Sequence, residues 1–231
     1  MKQFLSLIFL VACTSVFAAE DSLYNFAWLD KDKSVYVLQN RQYRKDGSVY
    51  IGGAFGLTAS GTFTDGTAMQ GRAGYFFTET LGIELVMSQN TFKPNSTFDN
   101  INTAGVSAFY NYPVQYSGGM LMWSPFYSKI NTFDSIIYLD WIFGIGYASI
   151  TTEDNRIDAQ ASTDNRQYTT DSATGILLNI GMRIYLSKSW SARIDLTPLI
   201  YSGFYRTPGT GNDETQSYKH YDLTFGFNYA F

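Results

Sequence analysis

From Val49 onward the chain is a succession of segments in which apolar residues alternate with small or polar ones. In VYIGGAFGLTA (49–59), Val49, Ile51, Phe55 and Leu57 share one face, and Tyr50, Gly52, Ala54, Gly56 and Thr58 share the other. Met69, Ala73, Tyr75 and Phe77 then oppose Gln70, Arg72 and Gly74. Leu81, Ile83, Leu85 and Met87 oppose Gly82, Glu84, Ser88 and Asn90. Further on, Ile137, Leu139, Trp141, Phe143 and Ile145 oppose Tyr138, Asp140, Gly144 and Gly146. Ile176, Leu178, Ile180, Met182, Ile184 and Leu186 oppose Asn179, Gly181, Arg183 and Tyr185. Trp190, Ala192, Ile194, Leu196 and Ile200 oppose Ser191, Arg193, Asp195 and Thr197. The chain closes on LTFGFNYAF, where Leu223, Phe225, Phe227, Tyr229 and Phe231 alternate with Thr224, Gly226, Asn228 and Ala230. Successive side chains of a strand point to opposite faces, so each segment predicts a strand with two unlike faces.

One more segment, GGMLMWSPFYSKI from Gly118, alternates poorly. It completes a set of eight, and Pro125 predicts a bulge or displaced register within it, because proline donates nothing to a ladder. The connections around Thr78-Glu79-Thr80, Asn131–Asp134 and Ser187-Lys188-Ser189 are tight. Those near 60–67, 92–117, 151–173 and 206–219 are longer and rich in Asn, Asp, Thr, Ser and Gly. An even strand number with alternating short and long connections predicts an all-β fold, a closed antiparallel eight-stranded barrel.

Composition decides what surrounds that barrel. Charged residues make up 16% of the chain and aromatics 17%, against about 25% charged in soluble globular domains. A soluble barrel would carry many Lys and Glu on its polar face. Here that face is mostly Gly, Ser, Thr, Asn and Tyr, with a few charges of both signs. The expected arrangement is therefore lipid-out, with the apolar face toward a membrane and the polar face inside. No later stretch has 18 consecutive apolar residues, so spanning falls to the strands of a closed barrel.

In that arrangement Arg72, Glu84, Asp140, Arg183, Arg193, Asp195 and Asp222 share the lumen as a network of nearly balanced charge. Arg72 and Glu84 flank one tight turn and are expected to be diagonal neighbours; Arg183 and Asp195 stand in a similar relation across another. Trp190, Trp123 and Trp141 are candidates for an interfacial girdle.

Thr224-x-Gly226-x-x-Tyr229-x-Phe231 resembles the C-terminal signal by which outer-membrane barrels are recognised by their insertion machinery. The terminal strand would pair with an exposed edge of that machinery. Three further stretches, WLDKDKSVYVLQNRQYRK (28–45), WSPFYSK (123–129) and NTFDSIIYLDWIFGIGYA (131–148), resemble the outer-membrane β-barrel domain family of myxobacterial and predatory bacteria, a small OmpA-like barrel. The resemblance implies an eight-stranded barrel in a Gram-negative outer membrane and fixes no biochemical activity.

The first residues read as a secretory signal. Met1-Lys2 precedes the apolar run FLSLIFLVA, and Val16-Phe17-Ala18 offers a cleavage site. The rival reading is a lipobox, Leu10-Val11-Ala12-Cys13, with Cys13 lipidated. Cleavage after Ala18 removes the only cysteine, so no disulfide is expected. The expected domains are a signal peptide over 1–18, a periplasmic N-terminal segment over 19–46 and the barrel over 47–231. Residues 20–46, where charged clusters flank Val35-Tyr36-Val37-Leu38, could plug the barrel base, dock a periplasmic partner or form a solvated leader. An even strand count places both termini in the periplasm.

Chemistry has few candidates. The single histidine, His220, has Asp222 two residues on and Asp213, Glu214 and Ser217 before it; as a rim site it would be catalytic, and otherwise it is a surface histidine at a strand end. One histidine and no mature cysteine oppose a zinc site, and no cofactor is expected. Asn95-Ser96-Thr97 reads as loop. The mild acidity opposes a nucleic-acid partner. The resulting expectation is a non-enzymatic outer-membrane protein with a side-chain-filled lumen, acting structurally or in recognition through its outer loops or N-terminal arm. The alternative is a small pore, for which the Gly-rich inner face would leave room.

Overall fold

The computed structural model describes residues 41–60, 63–104, 109–132, 135–157, 167–206 and 213–231. The fold is that of the unit Tyr43–Phe231. The signal peptide, Cys13 and residues 19–40 lie outside the described residues.

The chain forms β1 (Val49–Ser60), β2 (Thr64–Phe76), β3 (Leu81–Pro94), α1 (Ser96–Thr103), β4 (Asn111–Trp123) and β5 (Tyr127–Asn131). There follow β6 (Ile136–Asp154), β7 (Thr169–Tyr185), β8 (Trp190–Arg206) and β9 (Asp213–Ala230). All pairings are antiparallel, and the ring closes where β1 pairs with β9 and β4 with β6. β5 continues the line of β4 along β6 after a break at Ser124–Phe126, and Pro125 lies in that break. The barrel is therefore closed and eight-stranded, with one wall strand interrupted at the proline.

The alternation sorts side chains between two environments. Ile51, Phe55 and Leu57 of β1, Leu81, Ile83, Leu85 and Met87 of β3, and Leu223, Phe225 and Phe227 of β9 all face outward. Arg72, Glu84, Asn179, Asp195 and Asp222 are buried on the inner face. Inward glycines make room for them. A Cβ on Gly74 would stand 2.4 Å from the Tyr50 ring, and one on Gly181 would stand 2.2 Å from Asp195 Oδ1. One sector of the lumen is apolar: Val86, Met120, Met122, Ile142, Ile150, Leu177 and Leu199 pack there. The polar-face expectation had no place for them.

The strands outrun the expected loop boundaries. β6 has 19 residues, β7 and β8 have 17 each, and β9 has 18, where about 9–11 tilted residues span a bilayer. Beyond the apolar zone both faces of a ladder can be polar, so Thr215–Ser217 reads as loop by composition yet is strand. Asn95-Ser96-Thr97, expected in a loop, starts α1. Asn95 Oδ1 accepts from the N–H groups of Thr97 and Phe98, each at 3.1 Å, and caps the helix. Phe98 anchors the helix against Tyr110 and Tyr112.

Candidate functional site in the barrel lumen

Residues two apart on one strand share a face, and strands across the ring bring those faces together. At mid-barrel this converges on Glu84, which is 1% exposed. Arg72 Nη1 donates to Glu84 Oε1 at 2.7 Å and Arg193 Nη1 to Oε2 at 2.5 Å, while the Tyr50 hydroxyl also donates to Oε2. Arg193 Nε donates at 2.8 Å to Asp195, whose Oδ1 also accepts from Asn179 Nδ2 at 2.9 Å. Arg72 Nη2 is shared by Gln70 Oε1 at 2.7 Å and Thr197 Oγ1 at 2.9 Å. Two carboxylates and two guanidinium groups thus neutralise one another out of water, the condition under which burying charge is tolerable.

Toward the long-strand end, Asp222 Oδ2 accepts from Tyr116 Oη at 2.6 Å and Gln70 Nε2 at 3.0 Å. Asp222 Oδ1 lies 2.7 Å from His220 Nε2. That nitrogen is also 3.0 Å from Thr58 Oγ1 and 3.2 Å from Asn90 Nδ2. His220 is 0% exposed, so the expectation of a surface histidine is corrected. It lies on the inward phase of β9, two residues before Asp222. A nucleophile–His–acid relay uses both ring nitrogens, whereas here the hydroxyl and the carboxylate meet the same one. Ser217 and Glu214 are exposed on β9.

Above this level the guanidinium of Arg156 stacks 3.9 Å from the centre of the Phe204 ring. It donates to Asp154 at 2.8 and 2.5 Å and to Asp171. The hydrogen bonds to Asp154, and then to Asp171, push the Arg156 pKa up and hold it charged.

The turn end is closed by a residue outside the expected network. Lys45 Nζ lies 2.7 Å from Asp140 Oδ2, which accepts from Tyr185 Oη at 2.6 Å. Tyr43 stacks on Tyr185 with ring centres 4.7 Å apart. Tyr43 and Lys45 belong to the same compact unit as the strands, Tyr43–Phe231. Arg183 lays its guanidinium over Tyr50 at 4.5 Å and Phe76 at 5.3 Å.

All seven expected lumen residues are buried on the inner face. Arg72, Glu84, Arg193 and Asp195 form one network, Asp222 joins it through Gln70, and Asp140 and Arg183 lie below. The expected diagonal relation of Arg183 to Asp195 holds in the register, Asp195 standing opposite Gly181, but Asp195 pairs with Arg193 of its own strand, and Arg183 stands opposite Arg193 and Asp140. Tyr50, Gln70, Tyr116, Asn179 and Lys45 were not singled out. Tyr50, Gln70 and Asn179 share the polar phase of their strands with the charges, a signal that was available.

Thr224 and Gly226 of β9 face inward, while Tyr229 and, just past the strand, Phe231 face outward. The rings of Tyr229 and Phe231 meet edge-to-face at 5.0 Å, and Trp190 packs against Tyr229 at 5.2 Å. Trp123, Trp141 and Trp190 all lie on the outer face toward the turn end, where an interfacial girdle belongs.

Residues 34–231 match the model of the outer membrane protein beta-barrel domain family. The chain belongs to that family. As an outer-membrane barrel it places its outward leucines, isoleucines and phenylalanines against lipid, so it crosses the membrane with strands. No helix among the described residues is long and apolar enough to do so. Among solved structures it is similar to the N-terminal beta-barrel domain of Pseudomonas aeruginosa OprF, at 13% identity and a TM-score of 0.48, covering 80% of this chain and 98% of that one. It is also similar to OprG from the same organism, at 15% identity and a TM-score of 0.45, covering 83% and 99%. Outer membrane protein W of E. coli is similar at 12% identity and a TM-score of 0.40, covering 81% and 99%. No curated protein sequence matches the chain. No group of three or more potential metal ligands occurs among the described residues.

Proposed function

We propose that this outer-membrane barrel is non-enzymatic, has a lumen filled by side chains, and acts structurally or in recognition through its outer loops or N-terminal arm. The observation that carries this reading is Glu84, which takes guanidinium groups from Arg72 and, on the far wall, Arg193. An eight-stranded barrel has an interior just wide enough for side chains to fill, and this cluster occupies its middle. The single-nitrogen geometry at His220 supports a structural role for that residue.

Both termini are then periplasmic and the long strands extend outward, since outer-membrane barrels keep short turns on the periplasmic side. The Thr224–Phe231 pattern serves as the insertion signal read by the assembly machinery. Outer-membrane lipid surrounds the barrel, and residues 20–46 are the segment offered to a periplasmic partner. The narrower likeness to barrels of myxobacterial and predatory lineages belongs to the same proposal.

Single-channel conductance in a planar bilayer tests it, after heat-dependent gel mobility has established the folded barrel. A folded barrel that passes no steady current is the expected result. A reproducible current would replace this reading with that of a small pore.

A further inference from the structure

At the turn end the barrel wall holds an ammonium group that comes from outside the wall. Lys45 is 3% exposed. Its Nζ lies 2.7 Å from both Asp140 Oδ2 and Ser124 Oγ, and 5.3 Å from the centre of the Phe76 ring. The hydroxyl of Tyr185 donates to the same Asp140 oxygen and fixes the carboxylate. These groups belong to β6, to the break after β4, to β2 and to β7, while Lys45 precedes β1. The wall supplies the receptor and a separate segment supplies the ligand.

That segment is docked as a unit. Tyr43 stacks on Tyr185 and meets Tyr138 edge-to-face at 5.4 Å. The Glu79 carboxylate accepts the backbone N–H groups of Lys45 at 3.1 Å and Asp46 at 3.4 Å. Ser48 N–H closes a turn on the Lys45 carbonyl at 2.9 Å, with Gly47 at φ 71° providing the reversal into β1.

The receptor's chemistry is selective. One carboxylate oxygen, one hydroxyl and one aromatic face suit a compact monovalent cation with several donors. A divalent ion would want more oxygens. Nor does Lys45 saturate the chamber. Asp140 Oδ1 and the Nε and Nη2 of Arg183, its cross-strand neighbour, are buried without a hydrogen-bond partner among the described residues.

We propose that the turn-end mouth is a binding site for small primary alkylammonium ions, filled in cis by Lys45 and opened to such ions when the Tyr43–Asp46 peg withdraws. Tethering gives Lys45 an effective concentration in the millimolar range or above. A free amine therefore enters when the peg is out or its ammonium is removed. This inference goes beyond the filled-lumen reading and does not depend on whether the barrel conducts.

The test is chemical rescue in the full barrel, read as the midpoint of its heat-dependent gel mobility. Lys45→Ala removes Cγ, Cδ, Cε and Nζ, the atoms that n-propylammonium restores. The variant's midpoint should fall by roughly 10 °C, because a buried carboxylate loses its partner. n-Propylammonium chloride should restore most of that loss saturably, and tetramethylammonium chloride at the same concentration should not. Lys45→Met, whose stem still fills the mouth, and Lys45→Ala/Asp140→Asn should show no rescue. If Lys45→Ala does not refold alone, n-propylammonium should recover its refolding yield. No rescue of midpoint or yield, equal rescue by the quaternary ion, or rescue that survives Asp140→Asn would each overturn the proposal.

Discussion

Arg193 on β8 and Glu84 on β3 stand on diametrically opposed strands of the ring, yet their side chains meet at 2.5 Å. No local sequence relation joins positions so far apart. The contact exists because the register carries both inward faces to one level and because Gly74 and Gly181 leave room around it. Arg72 reaches the same carboxylate from the neighbouring strand. The result ties opposite walls of the barrel together through one acidic side chain.

Removing that carboxylate should therefore be costly. Glu84→Ala leaves two buried guanidinium groups short of a partner, and breaking a buried pair from one side costs about 3–5 kcal/mol. Urea unfolding of the refolded barrel measures the loss. Arg193→Ala should also be destabilising, and the double variant should lose less than the sum of the two, because neither partner is then stranded. Strict additivity would show that the two groups are energetically independent.

The outward face makes a prediction that separates lipid from water. Leu85 is 64% exposed near the middle of β3. Were it in water, Leu85→Arg would be close to neutral. Against lipid at the bilayer midplane it should cost about 2–4 kcal/mol. Folding titrations in lipid vesicles measure this, and a neutral outcome would place this face away from the hydrocarbon.

What was legible beforehand follows from geometry. Period-two alternation is local, so the strands, their two faces and the inward phase of Arg72, Glu84, Asp195 and Asp222 could be read directly. The break at Pro125 was equally local, since a missing donor marks its own position. Partner choice was not: Arg183 and Asp195 are diagonal neighbours across one turn, yet Asp195 pairs with Arg193, two residues away on its own strand. Ile142, Leu177 and Leu199 were hidden because they sit inside runs that are apolar on both faces, where alternation carries no contrast. Lys45 was obscured by a neighbourhood rich in charge, and only the turn at Gly47 brings it into the barrel mouth.

Two glycines that look alike in sequence should behave differently. A Cβ on Gly56 would stand 1.9 Å from the Leu223 carbonyl oxygen, a backbone atom with little freedom to move. Gly71 has nothing within 4 Å of that position. Gly56→Ala should destabilise the barrel by about 1–3 kcal/mol through overpacking. Gly71→Ala should be neutral or slightly stabilising, since it restricts only the unfolded chain. Parallel urea titrations of the two variants check the contrast, and equal effects would contradict the close β1–β9 approach at Gly56.

Phe231 separates assembly from stability. Its side chain is 75% exposed, and its backbone N–H donates to the Val49 carbonyl at 3.0 Å, a bond that any non-proline residue preserves. Phe231→Ser removes ring contact with Tyr229 and little else. The refolded variant should keep its unfolding free energy to within about 1 kcal/mol, as expected for a substitution away from packed groups. Its incorporation into the outer membrane of cells should nevertheless fall several-fold, because the aromatic end of the insertion pattern is lost. Pulse-labelling followed by heat-dependent gel mobility measures incorporation, and refolding from urea measures stability. If both quantities fall together, Phe231 is a structural residue of the last strand. If incorporation alone falls, the ring is read by the machinery before the barrel closes.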